Sequence, residues 1–112
     1  MSPEEIVAGQ LDAYNALDLE RFLGHFVDDI PVLTFPGNEL MTDRSGPEFR
    51  VKCQELFDAN PGLHVKLVSR MVHGRIVVDQ ELVTGLSSGG ARSAVAMYEV
   101  GAERIERVWF VS

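Results

Sequence analysis

The sequence predicts an α+β domain in which three N-terminal helices pack on a curved antiparallel sheet. Two observations support this class. Apolar residues recur at helical spacing through most of the first 60 residues, and they alternate with polar ones in long runs from residue 63 onward. Asn60-Pro61-Gly62 separates the two patterns with a strong stop signal. Because helices precede a meander of strands, we expect the helices on one face of the sheet, in a single domain spanning residues 1–112.

The three helices each have a recognisable start. Ser2-Pro3-Glu4-Glu5 forms a capping box that opens the first helix, in which Val7, Leu11 and Tyr14 form the apolar stripe. Asp18 caps a short second helix, whose buried face is predicted to contain Leu19, Phe22, Leu23 and Phe26. Pro47 opens the third helix, whose shared face contains Phe49, Cys53, Leu56 and Phe57.

One strand, over residues 30–35, lies between the second and third helices, and four follow them. The second strand is predicted from Leu63 to His73, and its side chains at odd-numbered positions include Leu63, Val65, Leu67 and Met71, which should point to one face. His73-Gly74 predicts a tight hairpin turn, and further strands cover residues 75–84, 92–100 and 104–111. A long twisted sheet curls, so its concave side and the helices can enclose a cavity.

Composition and charge exclude several classes of partner. The net charge of −7 and the absence of a Lys/Arg cluster argue against nucleic acid and against anionic membrane surfaces. No apolar run approaches the roughly 20 residues that span a bilayer. Glu4 and Glu5 occupy the place of the basic residues of a signal peptide, and Cys53 is the only cysteine, so we expect a cytoplasmic protein without an intrachain disulfide. Cys53 itself falls on an apolar helix face, which favours a small buried side chain.

The strand over Val77–Val83 carries two carboxylates, Asp79 and Glu81. They alternate in step with Val77 and Val83, so all four side chains should point to the same face. If that face lines a pocket, the two acids lie roughly 6–7 Å apart along the strand and raise each other's pKa. One could then stay protonated while the other acts as a base.

The opposite orientation of this strand is also open. The other face of the strand is the more apolar one and could pack on the core; it contains Ile76, Val78 and Leu82. The acids would then face solvent and form cross-strand ion pairs with Lys66, Arg70 or Arg92.

The chain resembles the nuclear transport factor 2-like superfamily, which includes SnoaL-like proteins and ketosteroid isomerases. The resemblance is carried by residues 14–20 (YNALDLE), 26–29 (FVDD), 32–35 (VLTF), 95–100 (VAMYEV) and 105–110 (IERVWF). It covers nearly the whole chain and implies the cone-shaped, cystatin-like roll with an internal pocket. It does not fix an activity, because that fold hosts isomerases, cyclases, dehydratases, epoxide hydrolases and proteins without chemistry.

The resemblance also gives a register for the working residues of the isomerases, which use an aspartate base, a tyrosine and a protonated acid. In this sequence the three positions fall on Phe35, Gln10 and near Ala96, so all three are replaced. The same register places Asp79, Glu81 and Val83 on the face that lines the pocket.

We therefore expect a SnoaL-like protein that binds a small apolar or carbonyl-containing molecule. If it is an enzyme, we expect cofactor-free isomerisation, cyclisation or dehydration by carboxylate proton transfer. Asp79 would be the base and Glu81 a neutral partner and donor, with His64 or Tyr98 as the orienting group. The predicted ligand-binding residues are Tyr14, Phe35, Phe57, Val83 and Phe110. No metal site is expected, because His64 with the two acids lacks a dedicated metal spacing.

Two other functions remain open. The domain could bind a ligand or only dimerise, without catalysis. Epoxide hydrolysis by an aspartate–arginine–aspartate set would join Asp79 to Arg70 or Arg107, although a second suitable aspartate is missing.

The outer face of the sheet is predicted to be apolar, because it contains Val95, Met97 and Trp109. The superfamily commonly dimerises through this surface, so we expect a homodimer.

Overall fold

The computed structural model describes all 112 residues and confirms the α+β class. The helices are α1 (Pro3–Asn15), α2 (Leu19–Leu23) and α3 (Pro47–Ala59), with a 3₁₀ turn at Thr42–Arg44. The strands are β1 (Val32–Phe35), β2 (His64–His73), β3 (Ile76–Thr84), β4 (Arg92–Val100) and β5 (Ile105–Val111). None of the helices has the length and apolar character needed to cross a bilayer.

The five strands form one curved, unclosed sheet in the order β1-β5-β4-β3-β2. The four long strands are antiparallel to their neighbours in sequence, as predicted, and β1 joins the far edge parallel to β5. The β2–β3 hairpin has a two-residue loop, since His73 is paired with Ile76. Gly74 in that loop has a φ of +57°, a conformation that glycine adopts without a steric penalty.

The predicted helix starts are present. The Ser2 hydroxyl accepts a hydrogen bond from the Glu5 amide at 3.2 Å, and the Ser2 amide donates to the Glu5 carboxylate at 2.9 Å. The Asp18 carboxylate accepts from the Arg21 amide at the start of α2. α3 begins at Pro47 without a side-chain cap.

The core lies between the helices and the inner face of the sheet. α1 contributes Ile6, Val7, Gln10 and Ala13 as its buried residues, so its buried face is rotated slightly from the predicted stripe. Leu11 and Tyr14 lie at the margin of that face. An aromatic cluster fills the space between α1, α2 and α3, with ring centroids 4.9 to 6.1 Å apart, and consists of Tyr14, Phe22, Phe26, Phe49 and Phe57.

A β-bulge interrupts the alternation of β2. Leu67 is paired with Glu81 and Ser69 with Gln80, which leaves Val68 as an extra residue. The extra residue reverses the parity of the second half of the strand, because side chains alternate strictly only in a regular ladder. Arg70 therefore faces inward, and Met71 is 65% exposed. The prediction that Met71 shares a face with Val65 was wrong for this reason.

Candidate ligand-binding cavity

A cavity of about 210 Å³ lies between the inner face of the sheet and the helices. Most of its lining is apolar. α1 contributes Tyr14, α3 contributes Cys53, and the sheet contributes Glu81, Val83 and Tyr98. An apolar hollow with a few convergent polar groups is the usual form of a small-molecule site.

The face of β3 that carries the two acids points toward the protein interior. Asp79 is completely buried and Glu81 is 8% exposed. Of the two orientations that the sequence left open, the structure has the one in which the acids and Val77 point toward the helices. The opposite parity, with Val78 and Leu82, lies on the outer face and is partly exposed.

Asp79 is held in a buried ion pair by Arg70, which lies directly opposite it on β2. Arg70 Nε donates to one carboxylate oxygen at 2.7 Å and Nη2 donates to the other at 2.9 Å. The Arg70 side chain is 10% exposed. Because Asp79 does not line the cavity and both of its oxygens already accept hydrogen bonds, its position does not suit the role of base that we predicted for it.

Glu81 is the acidic residue that lines the cavity. Burial raises the pKa of Glu81 to about 7, and the negative charge of Asp79 adds to the shift, while Arg70 opposes it. A carboxyl group with such a pKa exchanges its proton near neutral pH, which is the property required of a general acid or base. The two acids are neighbours, as predicted, and the environment of Glu81 favours its protonated form, but Glu81 alone of the two lines the cavity.

Tyr98 brings a hydroxyl group to the same cavity. Its oxygen accepts a hydrogen bond from Gln10 Nε2 at 3.4 Å. Burial raises the pKa of Tyr98 well above its usual value, and the charges of Glu81 and Asp79 raise it further. The Tyr98 hydroxyl therefore stays neutral around neutral pH and can donate a hydrogen bond. Burial likewise raises the pKa of the Tyr14 hydroxyl.

The Cys53 thiol is also kept neutral. Burial raises the pKa of Cys53 to about 12, with a small opposing effect from Arg44. A thiol that remains protonated is a poor nucleophile, which agrees with its prediction as a small buried side chain.

Besides Asp79, three predicted site residues do not line the cavity. His64 is exposed on the outer face, because its neighbour Val65 points inward and β2 is regular at that point. Phe35 is 42% exposed and shares the outer face with its partner Val111, so it is not a cavity wall. Phe57 is buried behind Tyr14, at a ring-centroid distance of 5.1 Å, and does not line the cavity.

The remaining predicted residues, Tyr14, Val83, Phe110, Glu81 and Tyr98, all line the cavity. No three His, Cys, Asp or Glu side chains are grouped in a way that could hold a metal ion.

The cavity also contains polar residues that the sequence analysis did not assign to it. Gln10 lies three residues after Val7 and three before Ala13, so its place on the buried face of α1 was readable from the helical period. Arg44 and Lys52 line the cavity from the segment between β1 and β2. No pattern distinguished these two cations from surface residues.

Comparison with known proteins identifies the fold. No family model and no curated protein matches the sequence. A cystatin-fold protein from Novosphingobium aromaticivorans superposes with a TM-score of 0.85 at 24% identity, over 100% of this chain and 99% of that one. IdmH from Streptomyces antibioticus, described as a candidate polyketide cyclase, has a TM-score of 0.81 at 17% identity over 98% and 91% of the two chains.

A third similar structure is a SnoaL-like protein from Burkholderia thailandensis, with a TM-score of 0.76 at 18% identity over 96% and 91% of the chains. The structure thus has the cystatin-like fold that the resemblance implied, shared with nuclear transport factor 2-like and ketosteroid isomerase-like proteins. At these identities the likeness describes the fold, and the site must be interpreted from its own residues.

Proposed function

We propose that the protein binds a small apolar carbonyl compound in the cavity and transfers a proton next to the carbonyl group, with Glu81 as the proton carrier. The observation that supports this most directly is the position of Glu81. It lines an apolar cavity, and its pKa is raised to about 7. Glu81 thus takes the role of base that the sequence analysis gave to Asp79, and Asp79 does not take the donor role that it gave to Glu81.

Each residue has a definite part in this reaction. The Glu81 carboxylate accepts the proton from the carbon next to the carbonyl, and the electron pair of the broken C–H bond moves onto the carbonyl oxygen. The neutral hydroxyl of Tyr98, held by Gln10, donates a hydrogen bond to that oxygen. Protonated Glu81 then returns its proton to a different carbon in an isomerisation, or to a departing hydroxyl group in a dehydration. In a cyclisation the carbanion adds to a second carbonyl, whose oxygen receives the proton.

Asp79 and Arg70 support this chemistry without contacting the ligand. Their bidentate hydrogen bonds keep the Asp79 carboxylate fixed behind Glu81. Its negative charge disfavours ionisation of Glu81, so it helps to keep the pKa of Glu81 in the useful range. None of these steps uses a cofactor.

Cavity size and fold neighbours also favour a small carbonyl ligand. The volume of about 210 Å³ is below the roughly 300–1,000 Å³ of sites that bury drug-sized ligands, so a compact molecule is expected. The similar structures include a candidate polyketide cyclase and a candidate ketosteroid isomerase, and these descriptions are compatible with a carbonyl ligand.

Exchange of carbon-bound hydrogen provides a direct test. 2-Tetralone, a two-ring ketone with acidic α-protons, would be incubated with the protein in D₂O, and loss of its α-proton signals followed by NMR. We expect the native protein and the control variant Glu55→Gln, altered at an exposed carboxylate on α3, to accelerate the exchange over buffer. Glu81→Gln should not accelerate it. Equal rates for Glu81→Gln and the native protein would contradict the proposed role of Glu81.

The second candidate function is ligand binding without catalysis. It is favoured by the replacement of the isomerase residues, since Ala96 is completely buried and Phe35 points to the outer face. Under this function the ketone binds but its exchange rate in D₂O remains that of buffer. Epoxide hydrolysis is less well supported, because Asp79 pairs with Arg70 but no aspartate lines the cavity.

We also propose a homodimer formed through the outer face of the sheet. An apolar row crosses all five strands there, in the order Met71, Val78, Met97, Trp109 and Leu33, each paired with the next. Such a row could pack against the same row of a second copy about a two-fold axis. A cytoplasmic location is proposed as well, with which the buried free thiol of Cys53 is compatible.

A further inference from the structure

Two basic side chains belong to the lining on the helical side of the cavity, which is mostly apolar. Arg44, in the 3₁₀ turn, and Lys52, on α3, both line it. They belong to the segment between β1 and β2, which covers the cavity, whereas Glu81 belongs to the sheet on the other side. The cavity therefore carries positive charge on its helical wall and a titrating acid on its sheet wall.

Neither cation has a hydrogen-bonded carboxylate partner within the protein. Arg44 Nε is buried and donates no hydrogen bond, and the only carboxylate near the guanidinium is that of Asp43, at 3.7 Å. Lys52 forms no ion pair. By contrast, Arg50 and Arg70 each make bidentate hydrogen bonds with a carboxylate. A buried donor without an acceptor is costly, so the Nε–H group of Arg44 is free to bind an acceptor on a ligand.

From this arrangement we propose that the ligand carries a carboxylate group that binds Arg44 and Lys52, while its carbonyl group lies toward Glu81. The inference rests on the proposed function and specifies its substrate class, a compact keto acid with an apolar body. The planar guanidinium matches a carboxylate, because two parallel N–H donors face its two oxygens. Lys52 adds a second positive charge.

Electrostatics also fixes the orientation of such a ligand. The protein has a net charge of −7, so an anion gains little from the molecule as a whole and must be attracted by local cations. Glu81, once ionised, repels a carboxylate from the sheet wall, and Arg44 and Lys52 attract it to the helical wall. The reacting carbonyl is then held at the end of the ligand that faces Glu81 and Tyr98.

A pair of probes of one shape and different charge tests this inference. Binding of 2-naphthoate and of 2-naphthamide would be measured by fluorescence titration at pH 8 and low salt. Charge-assisted hydrogen bonds contribute enough that the native protein should bind the anion about tenfold or more tightly than the amide. The double variant Arg44→Met/Lys52→Met should lose this preference but retain its affinity for the amide. Arg21→Met/Lys66→Met, which removes two exposed cations elsewhere, should keep the preference.

The outcomes separate this inference from the proposed function. Equal affinity of the native protein for both probes, or an anion preference that survives Arg44→Met/Lys52→Met, would overturn the inference and leave the cavity as a site for neutral ligands. Failure of both probes to bind the native protein would overturn the inference together with the proposed function. Arg44 and Lys52 are both accessible to solvent, so methionine should be tolerated at either position.

Discussion

Arg70 and Asp79 face each other across β2 and β3 with both carboxylate oxygens bonded to the guanidinium, although Asp79 is completely buried. Asp79 lies two residues before Glu81 on β3, and both side chains point to the inner face of the sheet. The charge of Asp79 raises the pKa of Glu81 and the charge of Arg70 lowers it, and the pair is itself largely protected from solvent. The pair therefore connects the packing of the sheet to the chemistry of the cavity.

Removing one member of the pair should be strongly destabilising. Arg70→Met leaves a buried carboxylate without a partner, and we expect a loss of about 3–5 kcal/mol in the free energy of unfolding, measured by urea denaturation at pH 7. Arg70→Met/Asp79→Leu, which removes both charges, should recover much of that loss. The exposed pair of Arg50 with Glu20 is the control, and Arg50→Met should cost much less than Arg70→Met because solvent screens an exposed ion pair. A similar cost for Arg50→Met and Arg70→Met would contradict the buried character of the pair.

The titration of Glu81 should depend on Asp79. In a ¹³C NMR titration of the carboxyl groups we expect Glu81 to show a pKa of about 7. Asp79→Asn removes the neighbouring negative charge and leaves that of Arg70, so the pKa of Glu81 should fall. An unchanged pKa in Asp79→Asn would mean that burial alone sets the value, and the supporting role of Asp79 would be lost.

The raised pKa of Glu81 also predicts how stability varies with pH. Between about pH 4.5 and pH 7 the folded protein holds the Glu81 proton more tightly than the unfolded chain does, so the contribution of Glu81 to stability falls as pH rises. The full difference corresponds to about 3 kcal/mol. Relative to Glu81→Gln, the native protein should therefore lose up to this amount of unfolding free energy between pH 5 and pH 8.

Denaturation curves of the native protein, Glu81→Gln and Glu55→Gln at the two pH values provide the measurement. Glu55 is exposed on α3, so Glu55→Gln should follow the pH dependence of the native protein. If the difference between the native protein and Glu81→Gln is the same at pH 5 and pH 8, Glu81 does not have a raised pKa in the folded state.

The sequence predicted the fold class because its signals are local and strong. The capping box at Ser2, the cap at Asp18 and the hairpin at His73-Gly74 each depend on a few adjacent residues. The parallel pairing of β1 with β5 is not readable in this way, since Val32 and Val108 are brought together only by the folded sheet.

The site was only partly predictable for a related reason. The alternation of side chains along a strand placed Asp79 and Glu81 on one face. The ion pair that distinguishes Asp79 requires Arg70 to point inward, and Arg70 points inward because of the bulge at Val68. No residue type in β2 marks that bulge. The ion pair with Arg70 gives Asp79 a different role from Glu81. The sequence could therefore identify the two acids but could not tell which of them carries the proton.

The apolar row on the outer face makes the oligomeric state testable. Met97 lies at the centre of the row, paired with Val78 on one side and Trp109 on the other. Met97→Glu places a charge at the middle of the proposed interface and should convert the dimer to a monomer, as measured by sedimentation velocity. Val51→Glu is the matched control, because Val51 is an exposed apolar residue on α3 and its replacement should leave the dimer intact. A native protein that sediments as a monomer would remove the dimer proposal.

Asn15 should contribute to both stability and ligand affinity, because it joins the end of α1 to the start of β2. Its side chain donates to the Val65 carbonyl at 2.9 Å and accepts from the Val65 amide at 2.8 Å. Asn15→Ala leaves this backbone site without its partner, and we expect a loss of about 1–3 kcal/mol in unfolding free energy. Tyr14 and Val65 both line the cavity, so the affinity for 2-naphthamide should fall as well. Gln54→Ala, which removes an exposed hydrogen bond to Asp58, should change neither quantity appreciably, and an equally small effect of Asn15→Ala would show that α1 is held by packing alone.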